Sequence, residues 1–220
     1  NYSSIRSAMR AIKQHPELEL QIIVGASALL DRYGEVVELI KRDGYEPNGS
    51  VHMIVEGETP LTMAKSTGLG LLELPTEFNR IKPDVVVTVG DRFETMATAI
   101  AASYMNIPLA HTMGGEITGT IDESVRHAVT KLAHIHFPAN EQAAKRIVAM
   151  GELPETVHTV GCPRIDMVAQ VAEQHKEPPT TEWLEGEGVG GHVNPAEPYL
   201  VAMQYPVTTE YGQGEVQIIE

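Results

Sequence analysis

The sequence is poor in cysteine, in positive charge and in long apolar runs. A single cysteine, Cys162, excludes an intrachain disulfide and fits a reducing compartment. Only 16 Lys and Arg stand against 30 Asp and Glu, a formal net charge of -14. That balance argues against a nucleic-acid partner, which would need a basic face. It leaves room for a small anionic ligand held by a few arginines and backbone N–H groups. No run of about 18 apolar residues occurs, so neither a transmembrane helix nor a membrane partner is expected. The opening "NYSSIRSAMRAI" has no apolar core of a secretory signal and no initiator methionine. There is no Walker A pattern. "GLGLL" lies in a helical stretch rather than after a strand, so it is not a dinucleotide fingerprint. His134 and His136 alternate in a strand without a carboxylate or cysteine at a supporting spacing, and no metal is expected there.

What is present is a 220-residue chain, 42% hydrophobic, enough for one well-buried domain and part of a second. Apolar periodicity alternates between helical and extended. Ser3 or Ser4 can cap a helix carrying Ile5, Ala8, Met9 and Ile12. Strand "LELQIIVG", helix "ASALLDRYGEVVELIKRDG" and strand "VHMIV" follow. A long helix then starts near Thr59, with Pro60 allowed in its first turn. "PDVVVTVG" reads as a parallel strand buried on both faces. Beyond it come helix "ETMATAIAASYMN", strand "PLAHT", helix "ESVRHAVTKLA", strand "HIHFP", helix "NEQAAKRIVAMG", strand "VHTVG" and helix "RIDMVAQVAEQ". Such alternation predicts an α/β fold, a doubly wound, Rossmann-like parallel sheet with helices on both faces. Residues 1–175 form that domain, 176–198 a Pro-, Gly- and Glu-rich linker, and 199–220 the opening of a second α/β domain. The first element is a helix where a βα unit should begin with a strand, so a preceding strand is expected.

Ligands of open parallel sheets bind beyond the carboxyl ends of the strands. Three segments fall there: "VGDRFE", "HTMGGEITGTIDE" and "GCPRID". In the first, Asp91 and Glu94 have the spacing of a capping box, and Asp91 also stands where an acid or base could reach a ligand, with Arg92 as an anion contact. The two readings can coexist. In the second, Gly114, Gly115 and Gly119 permit close approach of a ligand to the backbone. Thr120 and Glu123 are a second possible capping box. Asp122 lies in the first helical turn, spaced to pair with Arg126 four residues on. His111, at a strand end, is a ligand candidate. His127 reads as a packed helix residue, and Cys162 as a small buried one.

These residues carry a resemblance. "GDRFETMATAIAASYMNIPLAH", "GGEITGTIDESVRHAVTKLAHIHFPANEQAAKRI" and "GCPRID" resemble the UDP-N-acetylglucosamine 2-epimerase family, most of all its hydrolysing, sialic- and legionaminic-acid-pathway branch. "MQYPVTTEYG" resembles that family's entry into its second domain. The resemblance implies one half of a two-domain GT-B-like cytoplasmic enzyme, with a UDP-sugar substrate between its domains, no redox cofactor, and homo-oligomers of the intact protein. It implies catalytic roles for Asp91, Glu116 and Asp122. Substrate contacts are implied for Arg92, His111, Gly114, Gly115, Arg126, His127 and Tyr205. Two positions depart from the family pattern. Met113 stands where a catalytic glutamate is usual, and a thioether cannot exchange a proton. Tyr205 stands where the hydrolysing branch often has histidine, and tyrosine, with an ordinary pKa of about 10, is a poor base.

Overall fold

The computed structural model describes residues 2–57, 59–174, 194 and 197–202. The chain divides into two units, Asn1–Arg164 and Ile165–Glu220. In the first, five strands are all paired in parallel, in two groups. β1 (Ile23–Gly25) pairs with β2 (Gly49–Val51). β3 (Val86–Val89), β4 (Leu109–Thr112) and β5 (Ile135–Phe137) form a three-stranded sheet in that order. Among the described residues the ladders therefore make two sheets, not one continuous sheet. The segment expected as a further strand over 157–161 joins β5 at a single bridge, His136 to Val157.

The helices are α1 (Arg6–Gln14), α2 (Val36–Arg42), α3 (Pro60–Ile81), α4 (Phe93–Tyr104), α5 (Ile121–Leu132), α6 (Glu141–Ala149) and α7 (Pro163–Gln174). The expected single helix over 26–44 is instead two 3₁₀ turns, Ala26–Leu29 and Asp31–Tyr33, followed by α2. Ala26, Gly34 and Glu35 all have left-handed backbones, with φ of 55°, 82° and 44°, which no continuous helix tolerates. The strand expected at 18–25 shrinks to Ile23–Gly25, and that expected at 51–55 is displaced to Gly49–Val51. At the first helix the cap position falls on Ile5 with no side-chain bond, and Ser4 is buried and accepts from Arg164 Nε at 2.5 Å.

α3 begins as its sequence predicts. Thr59 caps it, accepting from Thr62 N at 3.2 Å, and Pro60 occupies the first turn where its missing N–H has no cost. Gly70 lets α3 sit tightly against its neighbours: a Cβ there would lie 2.5 Å from Met53 Cε and 3.1 Å from Ala97 Cβ. This close approach accounts for the second glycine of "GLGLL". α4 is buried nearly all round through Ala97, Ala99, Ala101 and Ala102. One apolar core joins Val51 and Met53 near the first sheet to Leu74 and Phe78 of α3, Val86 and Leu109 of the second sheet, and Val129 of α5. A smaller core of Met9, Val24, Ile40 and Tyr45 lies under α1 and α2. Burying a side chain such as Leu109 is worth roughly 2 kcal/mol. The β-branched run 85–89 is not buried on both faces. Val85 and Val87, which alternate onto the same face, are exposed, while all four residues of β4, the central strand, are buried.

In the second unit, most of α7 carries Ile165, Val168 and Val171 exposed. The linker expected over 176–198 and the second-domain opening lie almost entirely outside the described residues, as does Tyr205. Among the described residues no helix is long and apolar enough to cross a membrane.

Candidate active site

Because β3, β4 and β5 run parallel, their carboxyl ends bring together Gly90–Asp91, the loop 113–120 and Phe137. Gly90 turns the chain out of β3 with φ of 82°, its N–H donating to Thr112 O at 3.2 Å. The next residue, Asp91, is not a cap. The cap position of α4 is Arg92, whose side chain accepts no hydrogen bond from the helix N–H groups. The Asp91 carboxylate instead pairs with Arg126 of α5, 35 residues away. The Arg126 side chain is 4% exposed and that of Asp91 25%, so the carboxylate keeps a solvent-facing side. Burial pulls the Arg126 guanidinium down from its ordinary value. The carboxylate against it opposes that shift, and an arginine stays protonated at any physiological pH. Glu94 pairs locally with Arg92, Nε to Oε1 at 3.0 Å, and its second oxygen is buried without a partner among the described residues.

The loop is held almost atom by atom. Met113 N donates to Phe137 O at 3.0 Å. Arg146 of α6 donates to Gly115 O at 2.5 Å, and Arg126 Nη1 to Glu116 O at 2.8 Å. The Glu123 carboxylate accepts from Thr118 N at 2.8 Å and Gly119 N at 2.7 Å, which holds that carboxyl below the usual range. The expected capping box of Thr120 and Glu123 is thus absent. Thr120 makes no side-chain cap bond, and Glu123 gathers the loop amides instead. Gly115, with φ of 78°, packs onto α6 so closely that a Cβ would meet Ala143 O at 2.4 Å. Met113 is itself left-handed, with φ of 60°.

The structure brings Asp91, Gly114, Gly115, Glu116 and Arg126 into one assembly. It does not pair Asp122 with Arg126: the guanidinium is committed to Asp91 and to the loop carbonyl, a tertiary contact that overrides the i,i+4 spacing. Asp122 and Glu116 are half-buried, and Arg92 is exposed at the mouth of the α4 turn. His127 is half-buried, with Nε2 3.9 Å from Glu123 Oε1. His111 does not face a ligand. It is 0% exposed, and both ring nitrogens are engaged, Nε2 with Gly90 O at 2.8 Å and Nδ1 with Thr130 Oγ1 at 3.2 Å. An inward-facing position on the central strand, not visible from the strand end alone, explains the difference. Cys162 is half-buried rather than buried.

Sequence reasoning also passed over Arg146, Glu123 as a loop anchor, and the buried pair of His136 and Glu152. His136 Nε2 lies 3.3 Å from Glu152 Oε2, and burial lowers the imidazole pKa. His134, in contrast, is exposed and accepts from Leu109 N at 3.2 Å. Among the described residues no group of three His, Cys, Asp or Glu could hold a metal ion.

The family signature described as UDP-N-acetylglucosamine 2-epimerase matches residues 10–220. Among curated proteins, the UDP-N,N'-diacetylbacillosamine 2-epimerase (hydrolyzing) of Legionella pneumophila is 39% identical over 77% of this chain and 45% of its own length. The UDP-N-acetylglucosamine 2-epimerase of Neisseria meningitidis serogroup B is 33% identical over 96% of this chain and 52% of its own. The chain thus spans about half the length of these relatives. Among solved structures, the Neisseria meningitidis UDP-GlcNAc 2-epimerase bound to UDP-GlcNAc superposes with a TM-score of 0.70 at 17% identity, over 84% of this chain and 50% of that one. That of Methanocaldococcus jannaschii in complex with UDP-GlcNAc and UDP gives 0.68 at 20% identity, over the same shares. The α/β fold with parallel sheets corresponds to one half of such two-domain structures.

Proposed function

Since the chain belongs to the UDP-N-acetylglucosamine 2-epimerase family, we propose that the complete protein is a hydrolysing nucleotide-sugar 2-epimerase and that this chain supplies one wall of its cleft. The substrate is UDP-N-acetylglucosamine or a 2,4-diacetamido analogue, and the products are UDP and the free 2-epimeric sugar. The observation that carries the reading is Asp91, at a strand end beside a glycine-rich loop, with its carboxylate oriented by a buried arginine. A carboxylate so fixed and still a quarter exposed is suited to moving a proton on a bound molecule.

The chemistry assigns roles to the groups. The bond from the anomeric carbon to the phosphate oxygen breaks and UDP leaves with the electron pair. The proton at carbon 2 passes to a base, and its bonding pair forms the double bond between carbons 1 and 2 of a glycal. Water then adds, its hydroxyl at carbon 1 and a proton at carbon 2 on the opposite face. Asp91 takes or returns the carbon 2 proton, and Arg126 keeps its carboxylate aimed. Glu116 and Asp122 supply the second acid–base group and negative charge beside the cationic ring. Arg92, exposed beside Asp91, contacts the departing diphosphate, and Tyr205 and His127 contribute polar contacts to it. His111 acts from within the protein. No step needs a redox cofactor. The enzyme works in the cytoplasm, where nucleotide sugars are made, as a homo-oligomer.

Met113 favours a second reading. It holds the position where the family pattern has a catalytic glutamate, so the protein could bind nucleotide sugars without turning them over. One experiment separates the two. The complete protein is incubated with UDP-N-acetylglucosamine, and separately with the 2,4-diacetamido sugar, in deuterated water, and followed by NMR. UDP release with deuterium at carbon 2 of the 2-epimeric product is expected from one of them. Tight binding of both with no UDP release would overturn the enzymatic reading in favour of the binding one.

A further inference from the structure

We infer that His111 is a positioning residue of this site, fixing where the Asp91 carboxylate stands by pinning the carbonyl of Gly90. The inference rests on the proposed role of Asp91 and adds to it how the proton-transferring group is held.

The residue that precedes Asp91 is a glycine in a left-handed turn, the backbone unit with the most freedom to lose. A carboxylate hung on such a turn is placed only if the turn is tied from outside. Two ties exist. The Gly90 N–H is taken by Thr112 O, and the Gly90 carbonyl by His111 Nε2 at 2.8 Å. The carbonyl can only accept, so Nε2 carries the proton, and the lone pair of Nδ1 is left to accept from the Thr130 hydroxyl at 3.2 Å. That hydroxyl has one proton and a second acceptor within reach, Arg126 O at 3.0 Å. Thr130 stands four residues after Arg126, on the same face of α5. One helix face therefore holds both halves of the aspartate: Arg126 grips the carboxylate, and Thr130, through the imidazole, grips the peptide before it.

The surroundings are shaped to the ring. Gly114 lacks a side chain where a Cβ would fall 3.0 Å from His111 Nδ1 and 3.0 Å from Thr130 Oγ1. The ring is wholly buried, so contact with a ligand is closed to it. A histidine kept only for bulk would not need both nitrogens matched. An apolar ring of similar size would fill the same space at no desolvation cost.

The test compares His111→Phe, which keeps a flat ring without a donor, with His111→Gln, whose amide nitrogen reaches the place of Nε2. Both are made in the complete protein, and kcat and KM are measured for UDP release. His111→Phe should lower kcat on the order of 100-fold with KM little changed, since a displaced catalytic group costs about that much. His111→Gln should recover most of the loss. A rise in KM at constant kcat would overturn the inference, as would equal losses in both variants that follow only the fraction folded. A second readout does not depend on turnover. The guanidinium NMR signals of Arg126 should shift in His111→Phe and return in His111→Gln. If the wild type releases no UDP, the functional reading fails but these signals still decide: unchanged in both variants, they sink the positioning role.

Discussion

The two sheets of the described residues are held by different means. Around β3, β4 and β5 polar side chains are tied across long stretches of chain: buried Arg126 with half-buried Asp91, buried His111 with Gly90 and Thr130, half-buried Arg146 with Gly115. Around β1 and β2 the pairs lie nearer the surface. Arg32 meets Glu56 at 2.5 Å with both side chains well exposed, and Arg6 reaches Asp43 at 2.8 Å from a half-exposed position. The first arrangement converts polar groups into fixed geometry, because a buried charge that loses its partner has nowhere to go. The second tolerates change, because water replaces a lost partner. A proton-moving site needs the first kind of support, and the candidate site lies where that support is.

Removing a charge from each half should expose this difference most strongly. Asp91→Ala leaves the Arg126 guanidinium buried and uncompensated, and should cost about 3 kcal/mol, at the low end for such a pair because Asp91 is partly exposed. It should also abolish UDP release in the complete protein. Arg32→Ala, in contrast, should leave the unfolding midpoint where it was. Urea denaturation of both variants checks this, and an Asp91→Ala protein with the wild-type midpoint would show that the pair is not a support at all.

Acid should act on the same half. Burial holds the His111 imidazole at a pKa of about 4, against an ordinary 6.5, despite the opposing bond to Gly90 O. The unfolded chain takes up its proton near 6.5 and the folded one only near 4. Stability is therefore full above about pH 6.5, falls through the window and levels off below about 4, a loss of up to about 3 kcal/mol. His136 is shifted in the same direction and adds to the loss. Urea midpoints compared near pH 7 and near pH 4.5 measure the slope, and His111→Gln should flatten it. An unchanged slope in that variant would assign the acid sensitivity elsewhere.

Much of this fold was legible in the sequence because its signals were local. Thr59 and Pro60 announce α3, and the alternation after residue 83 gives β3 through α6 nearly residue by residue. Residues 26–44 misled because their helical spacing is real but Ala26 and Glu35 take left-handed backbones that neither side chain signals. The site divides in the same way. Asp91 and the glycine-rich loop stand out by position after a strand. Their supports do not: Arg126 has a well-spaced local partner in Asp122 and takes a distant one, and the inward direction of His111 follows from β4 being the central strand. Rules of spacing report what a residue could touch, and tertiary burial decides which contact it keeps.

Two glycines with nearly equal backbones sharpen the comparison at smaller scale. Gly115 has φ of 78° and Gly34 of 82°, so alanine pays the left-handed penalty at both, about 1 kcal/mol. Around Gly34 nothing lies within 4 Å of an added Cβ, and Gly34→Ala should cost little more than that penalty. At Gly115 the Cβ would lie 2.4 Å from the carbonyl oxygen of Ala143, a backbone atom in α6 that cannot swing aside. Gly115→Ala should therefore cost about 2–3 kcal/mol and loosen the loop whose carbonyl Arg146 holds. Equal midpoints for the two variants would mean that loop and helix are not in firm contact.

Met113→Glu should change stability least and function most selectively. Both side chains are unbranched and of similar length, the backbone φ of 60° penalises them alike, and the position is half-buried, so the midpoint should move by less than about 0.5 kcal/mol. Its loop is already fixed by Phe137 O, Arg146 and Arg126, so a carboxylate placed there arrives in a pre-organised site. A general acid–base group at such a position contributes 100-fold or more when it is used, and about a tenfold rise in kcat is expected here if Glu116 has the role proposed for it. If kcat instead falls while KM holds, the thioether is the group this site is built around. The acid–base work would then rest on the proposed carboxylates Asp91, Glu116 and Asp122, with Asp91 the one that Arg126 and His111 keep in place.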